Sequence, residues 1–117
     1  MAVTVEQARE AWRARDGARR ELAHQAAEQA RSKLPGLVAL LHARGASRVV
    51  LFGSLAEGRF GVDSDIDLAV QGMPSSALLG TPHDLTLHAG RRVDVVRLEE
   101  APASLVARIA ECGRELP

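Results

Sequence analysis

The residues with the most chemistry in them lie in one stretch, Leu51 to Leu68, LFGSLAEGRFGVDSDIDL. Alternate side chains of a strand point to opposite faces, so Asp65 and Asp67 are expected to project together, about 7 Å apart, while Ile66 and Leu68 enter a core. Two carboxylates on one face of a buried strand are costly unless a cation sits between them. A third acid, Asp94, stands in the apolar run Val93-Asp94-Val95-Val96 and faces away from Val93 and Val95. If the three converge from neighbouring strands beside the Gly53-Ser54 turn, they describe a magnesium nucleotide site. Mg²⁺ prefers octahedral oxygen ligands and is commonly held by a few carboxylates plus substrate phosphates. Two such ions about 4 Å apart would clamp the attacking and leaving oxygens of an in-line displacement. Asp65 and Asp67 would then hold the ions against the phosphates, and Asp94 the ion that activates an acceptor hydroxyl. Gly53 would allow close backbone approach, and Ser54 would offer a hydroxyl and a helix N-terminus to the terminal phosphates.

The elements that must position these groups follow from periodicity. Thr4-Val5-Glu6-Gln7 reads as a capping box, and apolar residues then recur at Val5, Ala8, Trp12, Leu22, Ala26, Ala30 and Leu34. This predicts one long helix to about residue 33, with a bend near Asp16-Gly17. A second helix is expected to begin near Pro35 and run through Leu37, Val38, Leu40 and Leu41 to a cap at Gly45. Arg48 to Phe52 is a strand covered on both faces. Ser54-Leu55-Ala56-Glu57 repeats the S-x-x-E pattern and predicts a short helix capped by Ser54. Asp65 to Val70 is the second strand. Pro74, Gly80 and Pro82 break the following segment into brief helices around Ala77-Leu79 and Asp84-His88. Arg91 to Val96 is a third strand, Ala101-Pro102 opens a last helix ended by Gly113, and the tail adds an edge strand.

Bulk composition narrows the function. At 117 residues the chain is one domain's worth, and its net charge of zero, 15 basic against 15 acidic residues, argues against a broad electrostatic grip on nucleic acid. The single cysteine, Cys112, cannot form an internal disulfide, and no run of 18 apolar residues or basic-then-apolar leader is present. A soluble, cytoplasmic protein is expected. The four histidines show no i, i+4 ligand pair. Arg91-Arg92 is either a solvated strand start or, given its nearness to Asp94, a contact to nucleotide or partner.

Gly53-Ser54, ten intervening residues, Asp65-x-Asp67 and the downstream V-D-V-V strand together resemble the nucleotidyltransferases of the DNA polymerase beta superfamily, in particular the bacterial minimal nucleotidyltransferases. Each half alone is common; the combination at this spacing is specific. The resemblance covers roughly Leu37 to Gly113. It implies an α/β (α+β) nucleotidyltransferase fold, a small mixed β-sheet flanked by helices, with residues 34–117 as the minimal domain and residues 1–33 as an extra, long helical extension. It implies transfer of AMP from ATP to a hydroxyl with release of pyrophosphate, and many minimal members act as antitoxin to a HEPN-domain toxin, some by adenylylating a tyrosine on it. By position, Gly53 and Ser54 match the phosphate-binding turn, and Asp65, Asp67 and Asp94 the Mg²⁺ ligands and catalytic acids. Where many members carry arginines after Gly-Ser, this chain has Leu55 and Glu57, leaving Arg59 as the substitute contact to nucleotide. The segment between the second and third strands is also shorter and more broken than usual.

Some twenty residues follow Asp94, too few for an attached substrate domain, so the acceptor is expected on another molecule, a Tyr or Ser of a protein partner. Two rivals stand beside this reading: a non-catalytic antitoxin that silences its partner by covering it, and a small-molecule adenylyltransferase of the aminoglycoside-modifying kind, which would need a dimer to close its pocket. The thin Ala-rich stripe of the first helix, among seven basic and five acidic residues in positions 1–33, serves either the domain's own core or a partner or second copy.

Overall fold

The computed structural model describes residues 2–117. Helix α1 spans Val5–Ala43 and opens with the expected capping box: Gln7 N–H donates to Thr4 Oγ1 at 3.1 Å, and Thr4 N–H donates to Gln7 Oε1 at 3.1 Å. The break expected at Pro35 is absent; α1 is one helix of 39 residues that runs through Gly17 and has Pro35 inside it. A proline costs a helix one i→i−4 bond. Here Pro35 and Arg31 lie on the exposed side, where the carbonyl freed of its donor meets water, while Leu34, Leu37, Val38 and Leu41 are buried around it. Packing of that stripe holds the two turns in line.

The buried positions of α1 begin only at Ala26 and continue through Ala27, Ala30, Leu34, Leu37, Val38 and Leu41. Trp12 is 72% exposed and Leu22 55%, so the N-terminal half of the stripe does not enter the domain's own core. A helix of this length is about 58 Å long, and it stretches the molecule to 64 × 29 × 22 Å.

The sheet has four strands in the order β3-β2-β1-β4: β1 Arg48–Phe52, β2 Ile66–Gln71, β3 Val93–Arg97 and β4 Arg114–Leu116. β1 pairs antiparallel with β2 and with β4, and β2 pairs parallel with β3, which makes the sheet mixed. Helix α2 is the single turn Ser54–Glu57, a 3₁₀ turn covers Ser75–Leu78, and α3 and α4 span Thr81–Ala89 and Ala103–Cys112. Pro82, read as a breaker, sits instead in the first turn of α3, where its missing N–H has no cost.

Alternation along the strands divides the interior in two. Val49, Leu51, Ile66, Leu68, Val70 and Val93 pack with the buried half of α1 and with Leu85 of α3. Val50 and Ala69 turn to the other face and meet Ile109 of α4, with Phe52, Val96 and Leu105 at the edge. Asp67 and Asp94 belong by alternation to this second face, one pleat beyond Ala69 and Val96.

The unequal halves of α1 predict unequal substitutions. Leu41→Ala, at a fully buried site, lowers unfolding free energy by about 2–5 kcal/mol, whereas Trp12→Ala stays within about 0.5 kcal/mol; urea denaturation of the two variants reads both.

Candidate active site

Parallel pairing places Asp67 of β2 directly opposite Asp94 of β3, so the two side chains leave the same face one strand apart, about 5 Å. On its other side Asp67 faces Phe52, the last residue of β1, and Gly53 follows. Asp65 lies one residue ahead of β2. Its position is set by the loop before it: Gly61 N–H donates to Ser64 Oγ at 2.8 Å, and Arg91 Nη1 donates to the carbonyls of Val62 and Ser64 at 2.8 and 2.7 Å. The Arg91 guanidinium also lies 4.9 Å above the ring of buried Phe60. Arg91 is therefore an anchor for the loop.

Arg92 points the other way, into the acids. Its Nε is 3.2 Å from Asp94 Oδ1 and 3.8 Å from Asp65 Oδ2. The sequence alone leaves Arg92 open between solvent and ligand, although a period of two puts it on the side of Asp94.

The electrostatics follow from this crowding. The Asp67 carboxyl is pushed up to about 6, first by burial and then by the like charges of Asp94 and Asp65, with Arg92 opposing. Among the described residues no three acid, histidine or cysteine side chains are gathered closely enough to hold a metal ion as they stand; the acids share one end of the sheet, with a guanidinium beside Asp65 and Asp94. The donor set nevertheless fits a hard divalent cation. Its groups are all carboxylate oxygens, the donors such an ion prefers, and Asp67 stands against the like charges of Asp94 and Asp65.

Gly53 is tied to this site by geometry. It caps α2 with φ 74° and ψ −155°, a region open essentially to glycine alone. A Cβ built there would stand 2.3 Å from Asp67 Oδ2. Ser54 is the first residue of α2, partly buried, and the S-x-x-E capping box expected there does not form. Gly53 takes the cap position, and Glu57 is drawn off by Arg108, whose Nη2 is 2.7 Å from Glu57 Oε1. That bond holds the Glu57 carboxyl below the usual range, and it ties α2 to α4. Arg59 is exposed, with Nη2 3.3 Å from Glu57 Oε1, so its ion-pair partner is Glu57 and none of the aspartates.

Comparison with known proteins adds to this geometry. The family model "Polymerase beta, Nucleotidyltransferase" matches residues 39–116. A solved structure provisionally named a minimal nucleotidyltransferase is similar with a TM-score of 0.67 at 28% identity, over 81% of this chain and 98% of that one. A toxin–antitoxin structure with AMP-PNP gives a TM-score of 0.62 at 26% identity, over 72% of this chain and 69% of that one. A third, of the tri-AMPylated Shewanella oneidensis HEPN toxin in complex with MNT antitoxin, gives 0.59 at 22% identity, over 73% and 69%, a likeness of fold. No curated protein matches the chain. Among the described residues no helix is long and apolar enough to cross a membrane.

Two predictions follow from the crowding around Asp67. Gly53→Ala forces a side chain into a glycine-only conformation against that carboxylate, and lowers stability by about 1–3 kcal/mol in thermal or chemical unfolding. The folded Asp67 carboxyl lies above its ordinary value of 3.8, so the native state binds this proton more tightly than the unfolded chain. Without divalent ions its ionisation costs stability as pH rises from about 4 through about 6. Asp67→Asn removes that slope, so the variant gains on the wild type between pH 5 and pH 7 in paired thermal melts.

Proposed function

The chain belongs to the polymerase beta nucleotidyltransferase family, and on that premise we propose that it is a Mg²⁺-dependent adenylyltransferase that moves AMP from ATP to a hydroxyl of a protein partner. The partner is a HEPN-domain toxin, the acceptor a Tyr or Ser on it, and the protein its antitoxin, working in the cytoplasm. In this reading residues 34–117 are the nucleotidyltransferase domain and residues 1–33 a helical extension.

One observation carries the proposal: the parallel register that sets Asp67 beside Asp94, with the bare Cα of Gly53 against the Asp67 carboxylate. Asp65, Asp67 and Asp94 would hold the Mg²⁺, which when bound neutralises the triphosphate and the developing charge of an in-line displacement. Asp94 would hold the ion that activates the incoming hydroxyl. Gly53 leaves room for phosphate oxygens close to the backbone. Ser54, the first residue of α2, would donate its hydroxyl to them, as would the first N–H groups of the turn, which lack helical acceptors. Arg59 contributes to nucleotide contact only by leaving Glu57. The toxin as partner is supported by the 26% identical toxin–antitoxin structure that contains AMP-PNP.

Incubation with the HEPN protein, Mg²⁺ and ATP, followed by intact mass measurement of the partner, tests the reading. The expected result is a mass gain of one or more AMP units, with the rate reduced by roughly a hundredfold or more in Asp67→Asn. Neutralisation of the partner that survives Asp67→Asn with no gain in mass would replace the enzyme with a binding module.

A further inference from the structure

We propose that Arg92 is a resident counter-cation of the acid cluster: while no divalent ion is bound, its guanidinium neutralises Asp65 and Asp94, and an incoming ion must displace it. The inference rests on the reading of these acids as metal ligands and adds a residue that competes for them. Its basis is placement. Arg92 Nε lies 3.2 Å from Asp94 Oδ1 and 3.8 Å from Asp65 Oδ2, between two of the three acids.

Other arginines around the site have different partners. Arg91 is held by the carbonyls of Val62 and Ser64 and by the face of Phe60. Arg59 and Arg108 are both on Glu57, and Arg97 is bonded to Met73 O and Glu100. Arg92 thus differs in role from its neighbour Arg91. Its backbone is fixed, since its carbonyl accepts from Ile66 N–H at 3.0 Å, but its side chain is 70% exposed and can swing out without disturbing the core. A guanidinium does not lose its proton at any ordinary pH, so it vacates the acids only by moving. The competition is therefore between two cations for one pair of carboxylates. The resting protein avoids three uncompensated acids, and metal affinity in the absence of nucleotide is reduced.

Titration with Mn²⁺ alone, followed by electron paramagnetic resonance of the free ion, tests this on the full chain. Exposed ion pairs are weak, so Arg92→Gln is expected to tighten Mn²⁺ binding by about three- to tenfold. Arg92→Lys keeps the charge and stays within about twofold of wild type. Arg114→Gln removes the same charge from β4, at the opposite edge of the sheet from β3, and also stays within about twofold. Unchanged or weaker binding by Arg92→Gln, or equal tightening by Arg114→Gln, overturns the inference. Asp67→Asn separates the two levels of the argument. If it binds Mn²⁺ as the wild type does, the acids are not the metal site and the proposed function falls with this inference. If it loses binding while Arg92→Gln is unchanged, the counter-cation alone is refuted.

Discussion

Three carboxylates at one end of a sheet repel one another, and the rest of the site can be understood as the means of holding them there. Asp67 is partly buried, with Asp94 directly across the ladder and Asp65 two residues back, and burial together with these like charges pushes its carboxyl up to about 6. Left alone, such a group would favour a fold that separates the charges. The sheet prevents that, because the same strands carry Ile66, Leu68, Val70 and Val93 into the main core. A slip of one residue would reverse every side chain and expose that core to water. Burial of aliphatic surface on one face thus keeps the acids together on the other.

The flanking elements decide how much of the acid end stays open. Helix α4 covers Val50 and Ala69 through Ile109, and Asp67 and Asp94 lie one pleat past that contact. Its Arg108 reaches Glu57 and fixes α2 beside the site, while Arg91 fixes the loop that delivers Asp65. Neither arginine touches the acids in doing so. The chain carries no net charge, yet the local balance at this end of the sheet is negative, with Arg92 as the compensating charge.

Much of this was legible in the sequence because it depends on short-range pattern. The alternation of Ile66, Leu68 and Val70 against Asp65 and Asp67, the capping box at Thr4, the strand around Asp94 and the last edge strand all depend on residues within a few positions of one another. The misreadings arose where distant partners decide. Pro35 predicted a break, but buried leucines on both sides carry α1 through it. Ser54 and Glu57 had the spacing of a capping box, but Arg108, 51 residues further on, took the carboxylate. The role of Arg92 needs the parallel pairing of β2 and β3, which a single strand's pattern does not contain.

The N-terminal half of α1, with Trp12 and Leu22 in solvent, projects away from this packing. The most direct measurement is anomalous diffraction from crystals of the protein soaked with Mn²⁺ and a non-hydrolysable ATP analogue. A peak among Asp65, Asp67 and Asp94, with triphosphate oxygens against Gly53 and Ser54 and Arg92 moved off the carboxylates, is the predicted result. A peak elsewhere, or a nucleotide bound away from that bend with the acids still paired to Arg92, would contradict the account.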